Sequence, residues 1–198
     1  MYQELVKCIK RMRCDHNTIR IKIRDDCMIY IYNDFGGTHT TMMAVAYHLN
    51  QLPQSERKLT TDEILKIKYF NKLTKEDFGK LIFHGKDEDG HSVYTIGRRS
   101  QDLVIPALKD LFVLLQEKYN FDERIVFSNT SPTVPFPMTM GGFFSRTLKI
   151  DSIGVPLLVM GAKQCCENVF RLVEYTKEVG KSDLGKKIVV LNNELFKS

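Results

Sequence analysis

The sequence predicts a three-layer α/β fold with a mostly parallel sheet, and three observations predict it. An apolar run, Met28–Tyr32, passes through Gly36-Gly37 into a helical stretch that reaches about Leu52. A second apolar run, Val155–Met160, passes through Gly161-Ala162-Lys163-Gln164 into another helical stretch. Between them, Pro106 opens the clearest amphipathic helix of the chain, with Leu108, Leu111, Phe112, Leu115 and Tyr119 on one face. Strands that alternate with helices call for helices packed on both faces of a parallel sheet.

At 198 residues the chain is long enough to bury a core without disulfides or metals, and it is read as one domain over 27–198 with an appendage at 1–26. The appendage reads as a short basic helix, Tyr2–Arg13, followed by a half-exposed edge strand, Thr18–Arg24. It carries seven Lys/Arg against four Asp/Glu, which reads as a solvated, charge-blunted edge, the alternative being a surface for a protein partner or nucleic acid. A net charge of +5 suits an anionic small molecule. Without a basic-aromatic motif it argues against nucleic acid. No apolar run has the length of a membrane helix and no signal peptide opens the chain, so no membrane and a cytoplasmic location are expected. Five cysteines without a secretion signal are read as free thiols, and Cys8, Cys14 and His16 match no zinc spacing.

The strand–glycine–helix stretch carries the chemistry. Amides at a helix start have no intrahelical partner, and the macrodipole favours negative charge there. Gly36 and Gly37 let backbone approach a ligand, while Thr38, Thr40 and Thr41 add hydroxyl donors. The stretch is P-loop-like without being a Walker A loop, because no lysine precedes Thr40; His39 stands in the nearest slot. The alternative is a tight turn whose threonines cap a helix. As a site it would hold phosphate or a nucleotide. His39 would be the acid/base or hydrogen-bond donor, kept neutral by the helix terminus. Thr40 or Thr41 would reach a metal ion, though no metal ligand set is read from the sequence, and any cofactor stays open.

Further along, Thr60 and Glu63 form a capping box that starts a short helix over Asp62–Phe70. Leu81–His84 and Ser92–Ile96, joined by an Asp89-Gly90 turn, make an inserted β-hairpin. It exits through Arg98 and Arg99, which could clamp a phosphate. Arg124–Phe127 is a buried strand ending in Ser128-Asn129-Thr130. Polar groups such as Asn129 at a strand's carboxyl end sit where open α/β sheets bind ligands. Gly141-Gly142 is read as close helix packing. Lys163 could face an anion beside the Gly36 turn, and Cys165 and Cys166 would fall in a helix's first turn, where thiol pKa is depressed. Lys187–Leu191 adds a last strand. His48 is read as an ordinary histidine, and His39, His84 and His91 as separate surface residues.

The segments YNDFGGTHTTMMAVAYHLNQLP, DFGKLIFHGKDEDGHSVYTIGRR, LVIPALKDL, MGGFFSRTL and GVPLLVMGAKQ together resemble the bacterial domain-of-unknown-function family 3189, across roughly Met28–Lys177. That family is found mainly in Firmicutes, many of them spore formers. The resemblance implies an intracellular α/β fold and puts weight on Gly36–Thr41. It supplies no substrate and no catalytic residue. SNTSPTVPFP departs from the acidic or methionine-rich segment that relatives often carry there. Two function classes follow: a phosphate or nucleotide site doing phosphoryl transfer, or a non-enzymatic regulatory or assembly factor linked to sporulation.

Overall fold

The computed structural model describes residues 27–119, 123–182 and 186–198. The N-terminal helix and edge strand expected before Asp26 lie outside the described residues. A five-stranded sheet in the order β2-β3-β1-β4-β5 organises the rest. Its strands are β1 (Met28–Asp34), β2 (Ile82–Lys86), β3 (Ser92–Gly97), β4 (Arg124–Asn129) and β5 (Ile188–Leu191). β1 runs parallel to both β3 and β4, and β4 runs parallel to β5; β2 pairs antiparallel with β3 at one edge.

Every residue of β1 is buried, and alternate side chains feed opposite faces. Met28, Tyr30 and Tyr32 join a core with α1 (Thr40–His48) and α5 (Asp151–Lys181). Ile29 and Ile31 join a second core with Ile105 and Phe112 of α3 (Val104–Tyr119). These two cores are the two helix layers of the predicted sandwich. All nine residues of α1 are buried, because it lies between the sheet and the other helices of its layer. The Thr60–Glu63 capping box forms as read and opens α2 (Thr61–Lys66). On α3 the amphipathic reading holds for Phe112, but Tyr119 is exposed.

The second strand–glycine–helix unit does not exist. Residues 155–160 belong to α5, which begins at Asp151. An unbroken apolar run cannot tell a buried helix from a buried strand by periodicity. Here the glycines decide. A Cβ on Gly161 would stand 2.7 Å from the Met138 amide, and one on Gly141 2.7 Å from that of Leu158. The missing side chains let α4 (Phe136–Gly142) cross α5 at backbone distance, so Gly161 marks a crossing where the sequence suggested a turn. Pro156 removes one helical N–H without ending the helix. Cys165 and Cys166 therefore lie mid-helix and buried. Burial pushes the Cys165 thiol up, the reverse of a helix-start effect. They are free, as expected, whereas Cys27 is disulfide-bonded, against the free-thiol reading.

Candidate functional site

The chain leaves β1 towards α1 on one face, and leaves β3 towards α3 on the other. Neighbouring strands whose connections diverge open a crevice at their carboxyl ends, the usual ligand position in such sheets. The sequence-predicted residues 36–41, Arg98 and Asn129 all follow or end these strands.

The glycine turn closes much of that crevice with its own backbone. Gly37 has φ +66, and a Cβ there would stand 2.7 Å from the Gly97 amide nitrogen. Seen from the other side, a Cβ on Gly97 would stand 2.8 Å from the Gly36 carbonyl oxygen. The Arg98 and Arg99 amides donate to the Asp34 and Phe35 carbonyls at 2.9 Å, extending the strand pairing into the turn. The close approach expected of a ligand is made by the chain itself.

Asp34, which sequence reasoning missed, sits at the centre. Its carboxylate, only 4% exposed, accepts from the Gly37 amide and from the Thr40 hydroxyl at 2.9 Å. Burial raises its pKa, against the lowering effect of those bonds and of Arg98. An internal carboxyl group thus engages two donors expected to meet a phosphate. The available signal was an acid ending a buried strand just before Gly-Gly. The Thr40 hydroxyl also lies 3.1 Å from that of Thr130, tying the ends of β1 and β4 together. Thr38 is committed as well: its hydroxyl donates to the Tyr69 carbonyl at 3.2 Å, and its own carbonyl accepts from Asn71. The Thr41 hydroxyl is buried and has no partner among the described residues.

Two of the predicted groups are only partly buried. The Arg98 side chain, 18% exposed, spans the ends of β1 and β4. It donates from Nε to Asn33 Oδ1 at 3.3 Å and from Nη2 to Ser131 Oγ at 3.5 Å, and lies 3.6 Å from Asp102. His39, the residue before α1, is half-buried and makes no capping bond with its side chain. Its Nε2 lies 3.2 Å from Asn71 Oδ1, and its ring meets Phe70 edge-on. Burial, with Arg146 acting in the same direction, pulls its pKa down to about 4, so the ring is neutral at pH 7.

The other predicted residues stand apart. Arg99 stacks over Phe78, 4.3 Å from the ring centre. Asn129 is taken up by the protein: its Oδ1 accepts from the Ser131 amide at 3.0 Å and its Nδ2 donates to the Asn192 carbonyl at 3.5 Å. Lys163 projects from mid-α5 and donates to Thr61 at 2.9 Å, away from the glycine turn it was expected to face. His84 and His91 do not join His39. His84 pairs with Thr95 at 2.9 Å, and His91 accepts from the Met28 amide at 3.2 Å and is buried, so it is not a surface residue.

Fold and crevice define the chain as an α/β domain with a mostly parallel sheet and a polar carboxyl edge. A family model described as a protein of unknown function (DUF3189) matches residues 29–178, and the chain belongs to that family. No curated protein and no solved structure matches it. Among the described residues, no helix is long and apolar enough to cross a membrane.

Proposed function

We propose that the edge formed by the Gly36–Thr41 turn and Arg98 binds a phosphate-bearing small molecule, of nucleotide or sugar-phosphate type. The observation that carries this reading is Arg98. Its guanidinium is mostly buried at the carboxyl ends of β1 and β4, and its three polar contacts are 3.3 to 3.6 Å long. Such contacts are weaker than the bidentate bonds a phosphate offers. The amides of Thr38 and His39 meet no protein acceptor among the described residues and supply further donors. Asp34 restricts the phosphate to the outward side of the turn, since its carboxylate already bonds the Gly37 amide and Thr40 hydroxyl. Phosphoryl transfer is the reaction class this P-loop-like arrangement fits, with a neutral His39 as proton acceptor.

Isothermal titration of the full chain with phosphate, nucleoside phosphates and sugar phosphates tests the reading. Arg98→Ala is expected to weaken binding by roughly tenfold or more. Wild-type protein that binds none of them overturns it.

One observation favours the non-enzymatic alternative, a regulatory or assembly factor. Phe35, Leu103 and Phe136 are 60%, 77% and 75% exposed, and each follows the carboxyl end of one of three adjacent strands. A partner protein covering that rim would make Arg98 a contact residue. Phe35→Ser together with Phe136→Ser would then abolish partner capture while leaving phosphate titrations unchanged.

A further inference from the structure

His39 ends a chain of hydrogen bonds whose direction can be worked out from its far end. Ser145 donates its hydroxyl hydrogen to Asp151, because an ionised carboxylate only accepts. The Ser145 oxygen then has only lone pairs to offer Asn71, so the Asn71 group 2.7 Å away must be its amide nitrogen. That fixes the orientation of the Asn71 side chain and turns its oxygen towards His39 Nε2, at 3.2 Å. An oxygen there requires Nε2 to carry the hydrogen. In a neutral imidazole the other nitrogen is then bare.

The surroundings hold Asn71 in place. Its backbone is left-handed, φ 55, a conformation asparagine tolerates better than most residues. Its amide donates to the Thr38 carbonyl at 3.1 Å, and its own carbonyl accepts from Arg146 at 3.1 Å. The segment that orients His39 is therefore fastened to the same turn. On the other side of the ring stands Gly142. A Cβ there would meet only His39, at 3.4 Å from Cε1 and 3.9 Å from Nδ1. Nδ1 has no protein partner among the described residues, and it is not among the fully buried atoms without one, so it reaches solvent.

We infer that Asp151, acting through Ser145 and Asn71, is the remote determinant of the His39 tautomer. Asn71 is the positioning residue, and Nδ1 is presented as a proton acceptor in the space left by Gly142. This rests on the reading of the turn as a ligand site only for its use; the tautomer itself does not depend on a ligand. The sequence offers His39 as a hydrogen-bond donor to an oxyanion, but its single N–H is already held by Asn71. What His39 can offer a ligand is a lone pair, so the group it meets is a hydroxyl or a bound water that can give up a proton.

Nitrogen-15 NMR of the His39 ring in the full chain tests this without any ligand. Between about pH 8 and pH 5 the wild type is expected to show a protonated Nε2 and a bare Nδ1. Asp151→Asn gives Ser145 a donor to face and lets the whole chain reverse. The Nδ1–H form is then expected to rise by roughly tenfold. Asn71→Asp keeps an acceptor against Nε2 and is expected to retain the tautomer while raising the ring's pKa. A wild-type ring protonated on Nδ1, or one with both tautomers equally populated, overturns the inference even if no variant folds. A correct tautomer with no phosphate binding leaves the inference standing and removes the proposed function instead.

Discussion

Helix α1 carries a histidine at each end, and the two are wired differently. His39 precedes the helix and His48 closes it. His48 is fully buried, and both its nitrogens are engaged. Nδ1 lies 2.7 Å from the Tyr32 hydroxyl and Nε2 lies 3.1 Å from Asp87 Oδ2. Asp87 also accepts the amides of Asp89 and His91, so this relay ties the hairpin tip to β1 and α1. Burial lowers the pKa of both rings. Yet His39 keeps one nitrogen open to solvent, while His48 keeps none. A lowered pKa alone does not distinguish a working histidine from a structural one; the count of satisfied nitrogens does.

The largest effect that would break this contrast is on stability. His48→Leu strands the Tyr32 hydroxyl and Asp87 in a buried setting and is expected to destabilise the fold by about 2–4 kcal/mol in urea titrations. Phosphate binding, measured at a temperature where the variant stays folded, should be unchanged. If His48→Leu unfolds no more easily than the wild type, the relay does not stabilise the hairpin tip.

A smaller effect concerns pH. His39 has a folded pKa of about 4 against an ordinary 6.5. Between those values the unfolded chain binds the extra proton and the folded chain does not. Stability therefore falls as pH drops from 6.5 towards 4, by about 1–3 kcal/mol for this group. His84, also pulled down to about 4 by burial, adds to the same slope. His39→Gln should flatten the His39 share and leave stability at pH 7 nearly unchanged. An identical slope in that variant would place the ring's pKa near its ordinary value.

The smallest effect sharpens the ligand side of the comparison. Asp34→Asn keeps the shape of the turn's central group and removes its charge. Phosphate binding by the wild type's open donors should tighten by several-fold as the repulsion is lost. Weaker binding would mean that the carboxylate itself serves the ligand, for example by holding its counter-cation.

Much of this molecule can be read in its sequence because it is local. Met28–Tyr32 is apolar without interruption and forms a fully buried strand. The Thr60–Glu63 interval forms its capping box, and the Asp89-Gly90 turn joins two antiparallel strands. The stretch from Gly36 to His39 is the turn between the first described strand and its helix, while Thr40 and Thr41, read as part of it, open the helix. The misreading of residues 155–160 has a local cause as well, since six apolar residues in a row carry no period. What settles them is a neighbour, α4, which crosses them at backbone distance and which their own pattern does not encode.

The turn shows where sequence ends and tertiary structure begins. Sequence alone determined that two glycines and a threonine would sit between strand and helix, with two more threonines opening the helix, because backbone freedom and side-chain chemistry belong to the residues themselves. Only the folded chain decided what those groups face. Gly37 meets Gly97, sixty residues further on, and the Gly37 amide meets Asp34. His39 meets Asn71, itself oriented by Ser145 and Asp151 from another part of the chain. A hydrogen bond needs its partner at about 3 Å, and no spacing along the chain reports that distance.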